Sequence, residues 1–336
     1  MRSDVYEILE TISQTKVKKV LATIVNVEGS AYKKGGSMML IDENGEQTGL
    51  LSGGCLEEDL HARSKDLIEA QSSTIVTYDL SAEDDLSWGQ GIGCNGKITV
   101  LIETISSQLS THLKKVKDYI DNGQTVTCVK RMTPEGFVTG FLFFTAASEY
   151  FGQWNGDIPN INELTLNKLS FSERGIYFKQ TIPARPRLFI YGAGTDARPL
   201  ANLASLSGYQ VIVADWRAGL CHKDNFPFSK TYVVTPGEFV STFTFSDVDS
   251  IVVMTHHFQK DVELIRLLIK TRIRYLGILG SKDRARRLFN GLNPPGWIHF
   301  PVGLDIGAEG PHEIAISIMA ELIQLTKKRR DASVLV

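Results

Sequence analysis

Two cysteines are framed by residues that give a thiol chemical opportunity. Cys55 lies in Leu51-Ser52-Gly53-Gly54-Cys55-Leu56-Glu57-Glu58-Asp59-Leu60, and Cys94 in Trp88-Gly89-Gln90-Gly91-Ile92-Gly93-Cys94-Asn95-Gly96. A cysteine is ordinarily a small buried hydrophobe, but the surrounding glycines argue against packing as the only use. Gly53 and Gly54 lead into an expected helix, where the amide dipole stabilises a thiolate, although Glu57 and Glu58 oppose that shift. Around Gly93 and Cys94 the glycines let backbone amides crowd an anion or a large flat ligand. A soft thiolate suits a thiophilic metal and is equally a sulfur acceptor. Cys55 and Cys94 are therefore the candidate metal ligands, expected close together in one cleft. Cys128, in a β-patterned run, and Cys221, beside a loop, are read as structural.

A second constellation is Leu188-Phe189-Ile190-Tyr191-Gly192-Ala193-Gly194-Thr195-Asp196-Ala197, a strand running through G-x-G-x-x-A into a helix. Gly192 allows the tight turn, Gly194 admits a pyrophosphate to the backbone, and Ala197 permits close helix–strand packing. The next strand ends in Asp215, 23 residues beyond Gly192, where an acid can bond a ribose hydroxyl. Two more loops should face the same crevice. Met254-Thr255-His256-His257 closes the fourth strand, with His256 as a ligand contact or proton carrier. Gly280-Ser281 opens a helix carrying Lys282, Arg284, Arg286 and Arg287, a combination that suits a phosphate, although Ser281 also reads as an ordinary N-cap.

These residues need elements to hold them. The first half reads as a helix from Ser3, a strand over Lys19–Val27, a hairpin turning at Asn44-Gly45, a helix from Leu56 to Ala70, strands at Thr74–Tyr78 and Lys97–Ile105, and a helix from His112. Residues 124 to 178 look mostly β. Thr181-Ile182-Pro183-Ala184-Arg185-Pro186 breaks the pattern as an extended connector. Beyond it, strands and helices alternate, which means a doubly wound parallel sheet. The fold class is thus α/β, with domains at 1–180 and 187–336 joined by 181–186.

Composition narrows the partners. The 336 residues suit about two domains, and the 43% hydrophobic and 22% charged content is that of a globular chain. With 36 basic and 38 acidic side chains the net charge is −2, so nucleic acid and anionic membrane are not expected partners. No C-x-x-C spacing suggests a zinc ribbon. The acidic start and the lack of a long apolar run point to the cytoplasm.

In order along the chain, Gly29-Ser30-Ala31, Ser52-Gly53-Gly54-Cys55-Leu56-Glu57, Gly93-Cys94-Asn95-Gly96, Tyr191-Gly192-Ala193-Gly194, Met254-Thr255-His256, Leu279-Gly280-Ser281 and Pro301-Val302-Gly303-Leu304-Asp305-Ile306-Gly307 resemble the xanthine dehydrogenase accessory protein family of the XdhC/CoxI type. The resemblance implies an N-terminal α+β accessory domain before a C-terminal Rossmann-type domain. It also implies a maturation factor that transiently holds molybdopterin-type molybdenum cofactor, supports its sulfuration with a cysteine desulfurase and delivers it to the apoenzyme of a xanthine dehydrogenase-type molybdenum hydroxylase. Asn95 and Thr195 stand where the family commonly has Gly and His, and Tyr32-Lys33-Lys34-Gly35 keeps only the positive charge of a stretch that often carries Pro and Arg. The alternatives are an NAD(P)-dependent oxidoreductase using His256 or Cys94, and a nucleotide-sensing regulatory module. No second constellation supplies an acid or base beside a nicotinamide, which favours a non-catalytic cofactor chaperone over an enzyme. NAD remains a candidate ligand of the crevice, and a homodimer is the expected assembly.

Overall fold

The computed structural model describes residues 2–54, 56–80, 96–147, 149–289 and 294–333. The chain divides into two compact units, Met1–Ala184 and Arg185–Val336.

The first unit contains two antiparallel sheets. Helix α1 (Arg2–Gln14) precedes β1 (Lys19–Gly29), β2 (Met38–Asp42), β3 (Gln47–Gly49), α2 (Glu57–Ala70), β4 (Ser73–Asp79) and β5 (Gly96–Thr104), whose strands order as β3-β2-β1-β5-β4. Helix α3 (Ser107–Asp121) then leads to β6 (Val126–Met132), β7 (Val138–Thr145), β8 (Tyr150–Gln153), β9 (Leu169–Ser172) and β10 (Gly175–Ile182), ordered β8-β7-β6-β10-β9. Helix α3 begins five residues before the expected His112, because the Ser106 hydroxyl accepts the Leu109 amide at 3.1 Å and caps it there.

Alternation along the strands assigns their faces. Val20, Ala22 and Ile24 of β1 pack under α2 with Leu60 and Ile68, whereas Leu21 faces α1, α3 and the second sheet with Ile8, Leu113, Cys128 and Phe143. A polar layer interrupts this second interior. Glu103 of β5 and Lys130 of β6, 3% and 5% exposed, form an ion pair between the sheets. Burial pushes the Lys130 amine down from 10.5 to about 7, so its charge at neutral pH depends on the adjoining carboxylate. Ser73 stitches the sheets a second time, donating to Gly136 O at 3.0 Å and accepting the Val138 amide at 2.8 Å.

The unit's last residues are anchored. The Ala184 amide donates to Thr125 Oγ1 at 3.2 Å, and the Tyr6 hydroxyl donates to Ala184 O at 3.0 Å. Two residues on, Pro186 O accepts the Gln210 amide at 2.9 Å, already within the second unit.

The second unit runs β11 (Arg187–Tyr191), α4 (Ala197–Leu206), β12 (Gln210–Asp215), β13 (Lys230–Val233), α5 (Pro236–Thr242), β14 (Asp249–Val253), α6 (Phe258–Leu268), β15 (Tyr275–Ile278), α7 (Lys282–Leu288), β16 (Ile298–His299) and α8 (Gly310–Ser333). All its strand pairs are parallel, in the order β13-β12-β11-β14-β15-β16. Leu188, Ile190 and Val252 face α4 and α8, while Phe189, Tyr191 and Val253 face α5, α6 and α7. The sheet is therefore doubly wound, as the alternating pattern requires. Strands β13 and β16 and helix α5 are additions to the sequence-based expectation.

Glu321 of α8 ties this sheet together. It accepts the Tyr275 hydroxyl at 2.5 Å, the Gly303 amide at 2.8 Å and His299 Nδ1 at 2.7 Å. Burial opposes its ionisation, but the bonds from His299, Tyr275 and Gly303 together outweigh it and hold the carboxyl below its ordinary value. A depressed carboxyl binds fewer protons folded than unfolded, so its contribution is full above the unfolded value and is lost as pH falls through the folded one. Denaturant titrations at a series of pH values should show stability declining below about pH 4.5, the ordinary value of this group. Glu321→Gln should cost about 1–3 kcal/mol at pH 7 and flatten that decline. Equal acid slopes for the two proteins would contradict the assignment.

Candidate functional site

Strand order reverses between β11 and β14, and the crevice of such a sheet opens there, at the carboxyl ends of the strands. Gly192 turns the chain out of β11 with φ +120°, and a Cβ on it would lie 2.6 Å from the Met254 carbonyl carbon and oxygen. No side chain fits, so the ends of β11 and β14 meet backbone to backbone. Gly194 is the opposite case: a Cβ built there meets nothing within 4 Å. The glycine pair thus combines an obligatory close contact with an open approach to the backbone at the start of α4.

Asp215 braces this loop from β12. It is fully buried, and its Oδ2 accepts the Ala193 amide at 2.7 Å. Its remaining acceptor capacity goes to Arg217, whose amide and Nε reach Oδ1 at 2.9 Å and whose terminal nitrogen reaches Oδ2 at 2.7 Å. Burial opposes its ionisation, but the bonds from Arg217 and the Ala193 amide hold the carboxyl below its ordinary value. In this structure Asp215 shapes the glycine loop, and Arg217, lying 4.7 Å over the Trp216 ring, is the cation beside it.

His256 sits in the left-handed region at φ +60°, uncommon for a residue with a side chain. Its Nε2 lies 3.0 Å from Asp196 Oδ2, so the loop after β14 and the start of α4 are joined across the switch point. Behind it, buried Asp261 accepts the Thr255 hydroxyl and, at 2.6 Å, the Arg284 guanidinium. Arg284 folds back over Gly280, whose added Cβ would meet Arg284 Cδ at 2.7 Å. Ser281 caps α7, accepting the Arg284 amide at 3.2 Å. Arg284, one of the four basic residues expected to face a phosphate, is thus engaged by an internal carboxylate, and Ser281 caps the helix.

Gly192, Gly194, Asp215, His256, Gly280 and Ser281 accordingly gather along the carboxyl ends of β11, β12, β14 and β15. Gly53 and Gly54 belong to the first unit, in an exposed turn before α2. Cys55, Gly93 and Cys94 lie outside the described residues. The turn itself is clamped. Ser52 Oγ accepts the Gly54 and Leu56 amides, each at 3.1 Å, while Glu57 accepts the Ser52 amide at 3.0 Å, the Leu56 amide at 3.1 Å and the Ser52 hydroxyl. Burial opposes ionisation of Glu57, and these donors outweigh it. Sequence reasoning treats Glu57 only as a charge working against a thiolate and misses this clamp; it misses Asp196, Arg217 and the Thr255–Asp261–Arg284 chain as well. Thr255 and Asp261 offer one signal, a hydroxyl at a strand end six residues before an acid in the next helix.

Among the described residues no group of three or more His, Cys, Asp or Glu is placed to hold a metal ion. No described helix is long and apolar enough to cross a membrane.

Parallel strands in this order, with a glycine-turned loop at the switch point, define a Rossmann-type domain, here following an antiparallel α+β unit. The chain belongs to the XdhC/CoxI family of xanthine dehydrogenase accessory proteins. The XdhC Rossmann domain matches residues 188–322, the XdhC and CoxI family 13–79, and the BH1974-like central domain 107–183. The chain is 43% identical over 328 residues to a probable xanthine dehydrogenase subunit from Bacillus subtilis (strain 168), covering 96% of this chain and 98% of that protein. It is 23% identical over 340 residues to the molybdenum cofactor insertion chaperone PaoD of Escherichia coli (strain K12), covering 94% of this chain and 86% of PaoD. The crystal structure of a xanthine dehydrogenase (BH1974) from Bacillus halodurans matches with a TM-score of 0.86 at 45% identity, covering 98% of each chain.

Proposed function

We propose that the chain is a non-catalytic carrier of molybdenum cofactor. It holds the molybdopterin-type group transiently, presents it for sulfuration by a cysteine desulfurase and passes it to the apoenzyme of a xanthine dehydrogenase-type molybdenum hydroxylase, acting as a cytoplasmic homodimer. Family membership supports the general role, the handling of molybdenum cofactor for such a hydroxylase, and the likeness to a protein named an insertion chaperone points the same way.

The observation that carries the reading is the open backbone at Gly194 beside the start of α4. Helix-start amides favour anionic oxygens, and a residue without a side chain lets a phosphate or diphosphate reach them. Gly192 and Asp215 hold that loop in shape, His256 reaches across its mouth, and Gly280 and Ser281 border it from β15. Cys55 and Cys94, with the neighbouring Gly53, Gly54 and Gly93, are the proposed sulfur and molybdenum ligands. The cofactor, as cargo, brings the molybdenum and its exchangeable sulfur; the chain's part is to bind, orient and release it.

The test is purification from cells that make the cofactor, followed by metal analysis and absorbance. Molybdenum should accompany the wild-type protein and fall at least fivefold in Cys55→Ala and Cys94→Ala with circular dichroism unchanged. Equal molybdenum in all three proteins would remove the thiols from the reading, and none in the wild type would remove the carrier role.

A further inference from the structure

Helix α8 is apolar on two sides. Ala315, Ile318, Met319 and Leu322 pack into the core of the second unit. Ile316 and Ile323, two helical turns apart on the outer side, are 53% and 50% exposed, with the half-buried Ala320 between them. Alternate steps of four and three residues are the spacing of a helix-pairing seam. Carried along α8, that spacing begins at Glu313, passes Ile316, Ala320 and Ile323, and reaches Lys327 and Arg330. Glu309 stands just before the helix, its amide donating to the Glu313 carboxylate at 2.8 Å. The outer seam is therefore acidic at its start, apolar at its centre and basic at its end.

We infer that this face of α8 binds the same face of a second copy of the chain, antiparallel, about a two-fold axis near Ala320. Such a contact is isologous, so one patch must complement itself. Antiparallel pairing sets Ile316 of one copy beside Ile323 of the other and brings each acidic end to a basic one. Parallel pairing would set acid on acid and base on base, so the charges select the direction. The 24 residues of α8 are about 36 Å long, long enough to carry all three zones. Acid at the start and base at the end also suit the dipole of a single helix, so the readout must be assembly rather than helix content. The inference deepens the proposed homodimer by naming the face it uses, and it rests on that reading.

The experiment is sedimentation velocity of the full-length protein over a concentration series, with circular dichroism as the check on folding. Wild type should be a dimer. Ile316→Ser with Ile323→Ser alters only exposed side chains, and should raise the dissociation constant at least tenfold while leaving the fold unchanged. Lys327→Glu with Arg330→Glu makes both ends of the seam acidic, and Glu309→Lys with Glu313→Lys makes both basic. Each of these variants should be a monomer alone, and an equimolar mixture should dimerise. A wild-type dimer that the serine substitutions leave intact overturns the face and leaves the homodimer standing. A mixture that stays monomeric, with both variants folded, overturns the antiparallel pairing. Wild type that is monomeric throughout the series removes the homodimer itself, and the face with it.

Discussion

Lys130→Met is expected to destabilise the protein by about 3–5 kcal/mol, the usual effect of stranding one member of a buried ion pair. The ammonium lies between two sheets whose surrounding side chains are apolar, with Leu101, Met132 and Phe178 on one side of the layer and Leu21, Cys128 and Phe143 on the other. Removing it leaves the Glu103 carboxylate, 3% exposed, without its counter-charge. Replacing both residues, Lys130→Met with Glu103→Leu, takes away both desolvation costs along with the attraction, and should return stability to within about 1–2 kcal/mol of wild type. Urea unfolding of the four proteins of the cycle checks this. A Lys130→Met protein as stable as wild type would mean that solvent reaches the carboxylate after all.

Gly192 and Gly194 should respond in opposite ways to a side chain. Gly192→Ala puts a methyl against the Met254 carbonyl in a backbone conformation that L-residues rarely adopt, and should cost at least about 2 kcal/mol as the ends of β11 and β14 are forced apart. Gly194→Val meets open space, and stability should change by no more than about 0.5 kcal/mol. The same valine covers the amides at the start of α4, so molybdenum retention should fall at least tenfold. Thermal melts and metal analysis on the same preparations separate the two effects. Undiminished retention by a folded Gly194→Val protein would show that the cargo does not approach this loop.

The parallel sheet and its crevice were legible because their signals are local. The G-x-G-x-x-A turn, the acid at the end of β12 and the alternation of strand with helix each occupy a few consecutive residues. What the acid does was not legible. Asp215 reads as an acid able to bond a ribose hydroxyl, yet Arg217 and the Ala193 amide take up its oxygens, and neither partner's reach is encoded in spacing. Helix α5 carried a readable signal in Thr235-Pro236-Gly237-Glu238, a proline-started capping box whose reciprocal bonds form in the structure, while β16 at two residues is too short for any period to register. The Glu103–Lys130 pair was half legible. Period two places Glu103 with Leu101 and Lys130 with Cys128 and Met132 on the core face, but a charge within a strand is ordinarily taken as facing water, and only the opposing sheet supplies the partner that reverses this. The thiols remain the part read from sequence alone, with the Ser52–Glu57 clamp as the described structure next to Cys55.

The hydrogen bonds at Ala184 and Pro186 bear on how the chain can be cut. A protease must draw several residues of extended chain into its cleft, and sites that yield combine accessibility with slack. Between the amide held by Thr125 and the carbonyl held by Gln210 only Arg185 intervenes, and its own Nε is bonded to Gly208 O at 3.2 Å. Sequence that looks like a natural breakpoint, with two prolines and a basic residue, therefore offers a digestive enzyme almost no length to pull.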